Sequence, residues 1–497
     1  MVANDTSSAK DGFAPAAQAV PRRAGLTLRT KLFFGLGEAG EGVKTAALET
    51  FLFFYYVQVV GLSGTLTGLA LFVALLADGL SDPLVGAWSD RTRTRLGRRH
   101  PFLYAAPIPL AMALYGLFLP PAGLPEVGMF LWLAGFAILA RFAMTLYFVP
   151  HMALGAELSH DFDERVSIGG YRVLFGYIGR IVALALAFTV FFAAREGYAN
   201  GQLDPSAYPP FALACGALVA AFVIISALGT QKAALAIAPK TQPSVAAPRG
   251  MIASLRAAMA SPSFRALYVA LLVMYIYNGV QGALALHMNT YFWLLQPMQV
   301  QMVFYASLVG YVVGIPIARP AARHFDKKLA YMVAIAGSCI VGSSPTILRL
   351  LGLFPTEANL VLPLLTGASF LAGLIGSIPV VLSAAMLADV ADEYEHDHGG
   401  RAEGLFFGAN AFCRKASLGL GGAAAGIVID LIRFPTKVAP GDVPADALVR
   451  LGVTYGPVML VVLLGGLMIM APYNLDRRRH EGIMAALAGR KAGQDLA

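Results

Sequence analysis

The feature that most constrains this chain is the repeated length of its apolar stretches. A helix needs ~20 predominantly apolar residues to cross a bilayer. Twelve such stretches can be read: 31–60, 64–88, 101–120, 127–154, 168–194, 209–229, 264–295, 300–319, 329–350, 357–388, 402–432 and 450–473. A backbone facing lipid must satisfy its own hydrogen bonds, so these segments are expected as helices. Of 497 residues, 57% are hydrophobic and 13% charged, whereas a soluble domain carries roughly a quarter charged residues. The expectation is an all-α membrane protein with twelve transmembrane helices.

The longest hydrophilic interruption, 230–262, divides six helices from six, the symmetry of transporters built from repeated halves. The implied organisation is a disordered tail over 1–24, a six-helix bundle over 25–229, a linker over 230–262, a second bundle over 263–474 and a tail over 475–497. Arg22, Arg23, Arg29 and Lys31 precede the first helix, and Arg91 to Arg99 follow the second. Further basic residues follow the eighth and twelfth helices, while the opposite loops are short or nearly neutral. The positive-inside rule then puts both termini in the cytoplasm of a multi-pass inner-membrane protein. The net charge of +8 has this topological cause and calls for no nucleic-acid partner. Residues 1–24 lack the apolar core of a signal peptide. Cys215, Cys339 and Cys413 show no metal spacing or disulfide framework.

Charges inside the apolar stretches are the functional signal, because such residues usually face a bundle interior or a watery cavity. The second stretch holds Asp78 and Asp82, one turn apart, with Ser81 between them; the fourth holds Thr145. Three readings stand for the two acids. They form a structural pair neutralised by a neighbouring Lys or Arg. Alternatively, with the Ser81 or Thr145 hydroxyl, they supply hard oxygens to a monovalent cation. In the third reading one of them carries a proton, since burial and a like charge both raise a carboxylate pKa. The first helix holds Glu38, Glu41, Lys44 and Glu49, with Glu41 and Lys44 spaced to pair. Arg172 and Lys415 lie deep in the fifth and eleventh helices, and two readings stand for each: it pairs with helix acids or snorkels to the cytoplasmic end, or it contacts the solute. Asn278 and Gln281 begin a polar stripe in the seventh helix, and Asn410 joins the eleventh. His151 and His287 show no nucleophile–base spacing, so no enzyme is expected.

The junctions carry a second signal. "GAWSDRTRTRLGRRHP" includes Gly86, Asp90, Arg91, Gly97 and Arg98, and reads as a gate and topology element. It lacks the Gly-rich turn and Lys-Ser/Thr of a phosphate loop. The junctions after the fourth and tenth helices repeat acids followed by an Arg: Glu157 and Arg165 in "GAELSHDFDERVSIGGYR", then Asp389, Asp392 and Arg401 in "LADVADEYEHDHGGRAEG".

These motifs carry a family resemblance. Gly86-x-x-x-Asp90-Arg91 with Gly97-Arg98-Arg99 resembles the major facilitator signature, and "DGLSDPLVGAWSDRTRTRLGRRHPF" is similar to its variant in the glycoside–pentoside–hexuronide:cation symporters, typified by melibiose permease. "KLFFGLGEAG", "VPHMALGAEL…DERVSIGGYR" and "ADVADEYE…GRAEG" extend the match over about residues 31–470. The resemblance implies the major facilitator fold of two six-helix bundles, alternating access and symport of a solute with Na+ or H+, without another cofactor. It maps the cation site onto Asp78, Ser81, Asp82 and Thr145, and two solute-binding cations onto Arg172 and Lys415. Gly42, Phe148 and Met152 stand where the type member has two Asp and a Trp, and Glu41 is next to the first of these. Losing those acids while keeping the bases implies a glycoside-like or anionic organic solute. The alternative is a lysophospholipid or similar amphiphile. The expected working unit is a monomer in the lipid bilayer.

Overall fold

A computed structural model describes residues 26–159, 161–236, 261–399 and 403–495, with Arg256 and Met259 between the halves. The N-terminal tail, the middle of the linker and Arg401 lie outside the described residues. Helices dominate, and the sole β pairing among the described residues is a bridge between Arg195 and Tyr198.

The first half begins with α1 (Leu28–Ala46), started by the Thr27 side chain accepting the Thr30 N–H. It continues through π-turns at Ala47–Leu52 and Tyr55–Val60 and stops at Gly61, whose φ of +88° suits a residue without Cβ. Ser63 then caps α2 (Gly64–Arg91). The third pass is two pieces, α3 (His100–Ala105) and α4 (Pro107–Leu117), split at Pro107. The next three are α5 (Glu126–Leu158), α6 (Phe162–Ala185, extended by a π-turn at Leu186–Phe191) and α7 (Tyr208–Ala236).

The second half repeats the plan. It contains α8 (Pro262–His287, extended by Met288–Phe292), α9 (Pro297–Gly314), the short α10 (Ala318–Phe325) and α11 (Lys327–Leu350). Then come α12 (Ala358–His398), α13 (Glu403–Leu431) and a twelfth pass of α14 (Ala445–Val453) and α15 (Met459–Met468). The stretch expected as a tail contains a helix, α16 (Arg477–Asp495), packed on α12. This explains why α12 runs past its expected end at 388: Asp389, Asp392 and Glu393 meet His480 and Arg479 of α16, and Asp389 also meets Lys327 of α11.

Ten helices among the described residues are long and apolar enough to cross a membrane. The first and third passes complete the twelve. The first carries Glu38, Glu41, Lys44 and Glu49, and the third is cut in two, so neither reads as an unbroken apolar span.

The halves meet unequally along their length. At the end away from the Arg-rich loop, one apolar core runs through both halves, including Phe54, Tyr56, Tyr291 and Phe434. At the basic end the second half has its own core, around Leu267, Tyr331, Met386 and Phe406. The closest crossing is α2 on α13. A Cβ built on Gly426 would lie 2.0 Å from the Gly64 carbonyl oxygen, so the backbones touch as small-residue helix pairs do in membranes.

Candidate cation and solute site

The α2–α13 crossing and α5 enclose the two acids. Spaced one turn apart, Asp78 and Asp82 share a face of α2, and that face meets protein. The Thr145 hydroxyl lies 2.9 Å from Asp78 Oδ1 and 3.2 Å from Asp82 Oδ1, so its one hydrogen serves both. Ser81 Oγ donates to the Asp78 carbonyl at 3.0 Å and lies 3.5 Å from Thr145 Oγ1. Asp78, Ser81, Asp82 and Thr145 are therefore brought together, as the sequence expects.

The positive charge between the acids comes from the other half. Lys415 Nζ, on α13, lies 2.6 Å from Asp82 Oδ2 and 2.9 Å from Asp78 Oδ2. Side-chain exposure is 12% for Asp78, 29% for Asp82 and 16% for Lys415. Removing one member of a buried pair of this kind costs about 3–5 kcal/mol, because the remaining charge is stranded. The ammonium thus neutralises both acids, as the first of the three readings has it, and stands where the second reading puts a cation. Lys415, expected among the solute contacts, is here a ligand of both acids.

The other expected residues are spread more widely. Arg172 Nε lies 3.8 Å from Glu38 Oε2, and its guanidinium also donates to the Met152 sulfur. Glu41 accepts from Lys44 at 2.8 Å and from Thr45 at 3.0 Å, the local pairing its spacing suggested. A side chain at Gly42 has no room, since a Cβ there would lie 2.1 Å from the Gly176 carbonyl oxygen. Phe148 packs half-buried against the core. Gln281 donates to the Tyr277 hydroxyl at 2.9 Å, and Asn410 Oδ1 is 3.5 Å from the Tyr275 hydroxyl. Asn278 stands apart from these, on the wall of a cavity.

That cavity, of about 220 Å³, lies between the halves and is mostly apolar; Glu49, Arg141 and Asn278 are its charged or amide-bearing lining. Glu49 pairs with Arg180 at 3.2 Å. Sequence reasoning missed Arg141, although a lone charge in "LAGFAILARFAMTLYF" was a legible signal. Its NH1 lies 3.8 Å from Asp78 Oδ2. It also missed Asp430, whose carboxylate accepts the Gly64 and Thr65 N–H groups at 2.8 Å each and so fastens α13 to the start of α2.

The junction motifs close within their own halves. Arg99 holds Asp90 at 2.6 Å and Glu157 at 2.7 Å, while Arg98 meets Glu157 at 3.1 Å. Gly86 faces Val149 of α5, Gly97 has φ +91°, and Arg91 is exposed. Arg165 donates to the Ser159 carbonyl at 2.8 Å. In the second half Lys327 holds Asp389 at 2.5 Å, and His480 of α16 lies 3.0 Å from Asp392 and 3.5 Å from Asp389.

Known proteins share this architecture. The family model described as MFS/sugar transport protein matches residues 33–477. The chain is 24% identical to the putative glycoside/cation symporter YagG of Escherichia coli, over 94% of this chain and 96% of the relative. It is 25% identical to the mouse sodium-dependent lysophosphatidylcholine symporter 1, over 93% of this chain and 89% of that one. The nucleoside transporter NupG superposes with a TM-score of 0.60 at 14% identity, covering 89% of this chain and 98% of that one. The xylose transporter XylE of E. coli, in an inward-open conformation, also gives 0.60, at 13% identity over 92% and 98% of the two chains.

Proposed function

We propose that this chain, which belongs to the MFS/sugar transport family and is a membrane transporter with no enzymatic role, is a secondary active symporter driven by a monovalent cation. The observation that carries this reading is the Lys415 ammonium from one half seated between Asp78 and Asp82 of the other. A small cation competes for the same oxygens. When it binds, Lys415 is released, the tie between the halves at mid-depth loosens, and a positive charge becomes free to meet the solute. Cation and solute are then coupled through one side chain.

Na+ is the coupling ion we favour. The Thr145 hydroxyl reaches both carboxylates and lies 3.5 Å from the Ser81 hydroxyl. That cluster of hard oxygens suits an alkali cation, whereas a proton needs only one carboxylate. The basic loops support an orientation with the Arg-rich end in the cytoplasm, which suits an inner-membrane protein. On that orientation the shared core seals the outside, and the separate cores leave the cytoplasmic end free to part, the state from which solute is released inward.

The solute is a glycoside-like or anionic organic molecule. Relatives named for glycosides and for lysophosphatidylcholine bracket this choice. The amphiphile reading is favoured by the apolar lining of the cavity, to which Leu48, Leu52, Phe53, Leu71 and Leu75 contribute. Proteoliposome uptake under an imposed Na+ gradient tests the reading. Accumulation is expected in wild type, and loss of Na+ stimulation in Asp78→Asn and Asp82→Asn. Stimulation unchanged in both variants refutes the seat.

A further inference from the structure

Arg141 is a membrane-embedded guanidinium with capacity to spare. It projects from the middle of α5, with its side chain 14% exposed. Its only charged partner among the described residues is Asp78, at 3.8 Å, and no hydrogen bond to it is formed there. A guanidinium offers five N–H donors in a planar fork. By contrast, Arg180 donates to Glu49 and Arg99 holds two acids and a serine.

The empty donors border the cavity between the halves. Across it stands Asn278 of α8; Glu49, the other charged residue of the wall, is neutralised by Arg180 at 3.2 Å, and the rest is largely leucine and glycine. With the seat occupied by Lys415, two carboxylates face two bases, Lys415 and Arg141. A bound cation makes three positive charges against two negative. One anionic group restores the balance.

We infer that Arg141 is the anion anchor of the solute site, holding a carboxylate or phosphate monoester carried on an apolar body. The planar fork binds either group bidentately. The anchored solute reaches Asn278 of the second half from Arg141 of the first, so it touches both moving parts. The apolar wall takes the body of the solute, and the cavity is smaller than the roughly 300–1,000 Å³ of drug-sized pockets, so it fits the charged head with its adjoining atoms. This inference rests on Asp78 and Asp82 forming the cation seat.

The test uses the purified full chain in lipid nanodiscs with Na+, and two matched probe pairs. One is 4-nitrophenyl β-D-glucuronide against the glucoside; the other is 1-oleoyl lysophosphatidate against 1-oleoylglycerol. Ligand-induced shifts of the unfolding temperature are titrated for wild type, Arg141→Gln and Arg141→Lys. The anionic member of one pair is expected to bind wild type at least tenfold more tightly than its neutral mate, and the pair that responds identifies the sugar or lipid source. Arg141→Gln is expected to erase that preference while Na+ alone still shifts the variant, and Arg141→Lys to restore part of it. Equal binding of anionic and neutral probes by wild type, no binding of either anion, or an anion preference kept by Arg141→Gln overturns the inference. A wild type that Na+ alone does not shift instead overturns the cation seat on which it rests.

Discussion

At the end away from the Arg-rich loop, the two halves meet backbone to backbone. Gly64 and Gly426 touch, Asp430 takes two N–H groups at the start of α2, and the Tyr291 hydroxyl donates to Gln58 at 3.1 Å. At the basic end the ionic contacts stay at home: Arg99 with Asp90 and Glu157 in one half, Lys327 and His480 with Asp389 in the other. Among the described residues, the hydrogen bonds between halves lie at the sealed end or at mid-depth, where Lys415 meets the acids of α2. The sealed end is held by fit, which tolerates little change. The basic end is held by charges within each half, which can part as rigid units. A rocking transporter needs this asymmetry, one tight end and one free end, with the Lys415 contact between them.

The largest effect should come from the basic end. Arg99 is 6% exposed and serves Asp90, Glu157 and Ser89. Arg99→Ala is expected to cost about 3–5 kcal/mol and to lower the unfolding temperature, yet leave the sealed end closed. Its readout there is a Phe434→Cys reporter, buried in the native state, which should stay protected from a membrane-impermeant maleimide. Labelling of that reporter in Arg99→Ala would show the two ends are not independent.

Gly426→Leu attacks the sealed end directly. Overpacking a tight contact costs about 3 kcal/mol, so the reporter should become reactive and uptake should fall. A smaller shift is expected from Asp430→Asn, about 2 kcal/mol for a weakened charged hydrogen-bond pair, with partial labelling and no change in the unfolding of the isolated basic-end contacts. The smallest belongs to His480→Ala, whose partly exposed contacts with α12 are worth less than about 1 kcal/mol. Only proteolytic access to α16 should change there.

Much of this was legible in the sequence, for physical reasons that differ by element. Span number followed from apolar length, and the cost of burying acids one turn apart singled out Asp78 and Asp82, while grouping Ser81 and Thr145 with them rested on the family resemblance. Two kinds of information were not local. Lys415 lies 333 residues from Asp82, so no periodicity announces that its ammonium fills the seat. Asp430 reads as an ordinary helix-end acid until α2 is packed against it. Arg141 was a different case, since its charge was visible within an apolar helix and only its neighbours were hidden. The α16 helix is highly charged, and it was the contacts with Asp392 and Glu393 that turned an apparent tail into packed structure.

The central claim is that the Lys415 ammonium and the coupling cation compete for one seat. Isothermal titration of Na+ into solute-free wild type and Lys415→Met measures that competition. Removing the built-in competitor raises the fraction of protein ready to bind, so Na+ affinity is expected to rise about tenfold, or about 1.4 kcal/mol, while solute uptake is lost. Unchanged or weaker Na+ binding in Lys415→Met contradicts the claim.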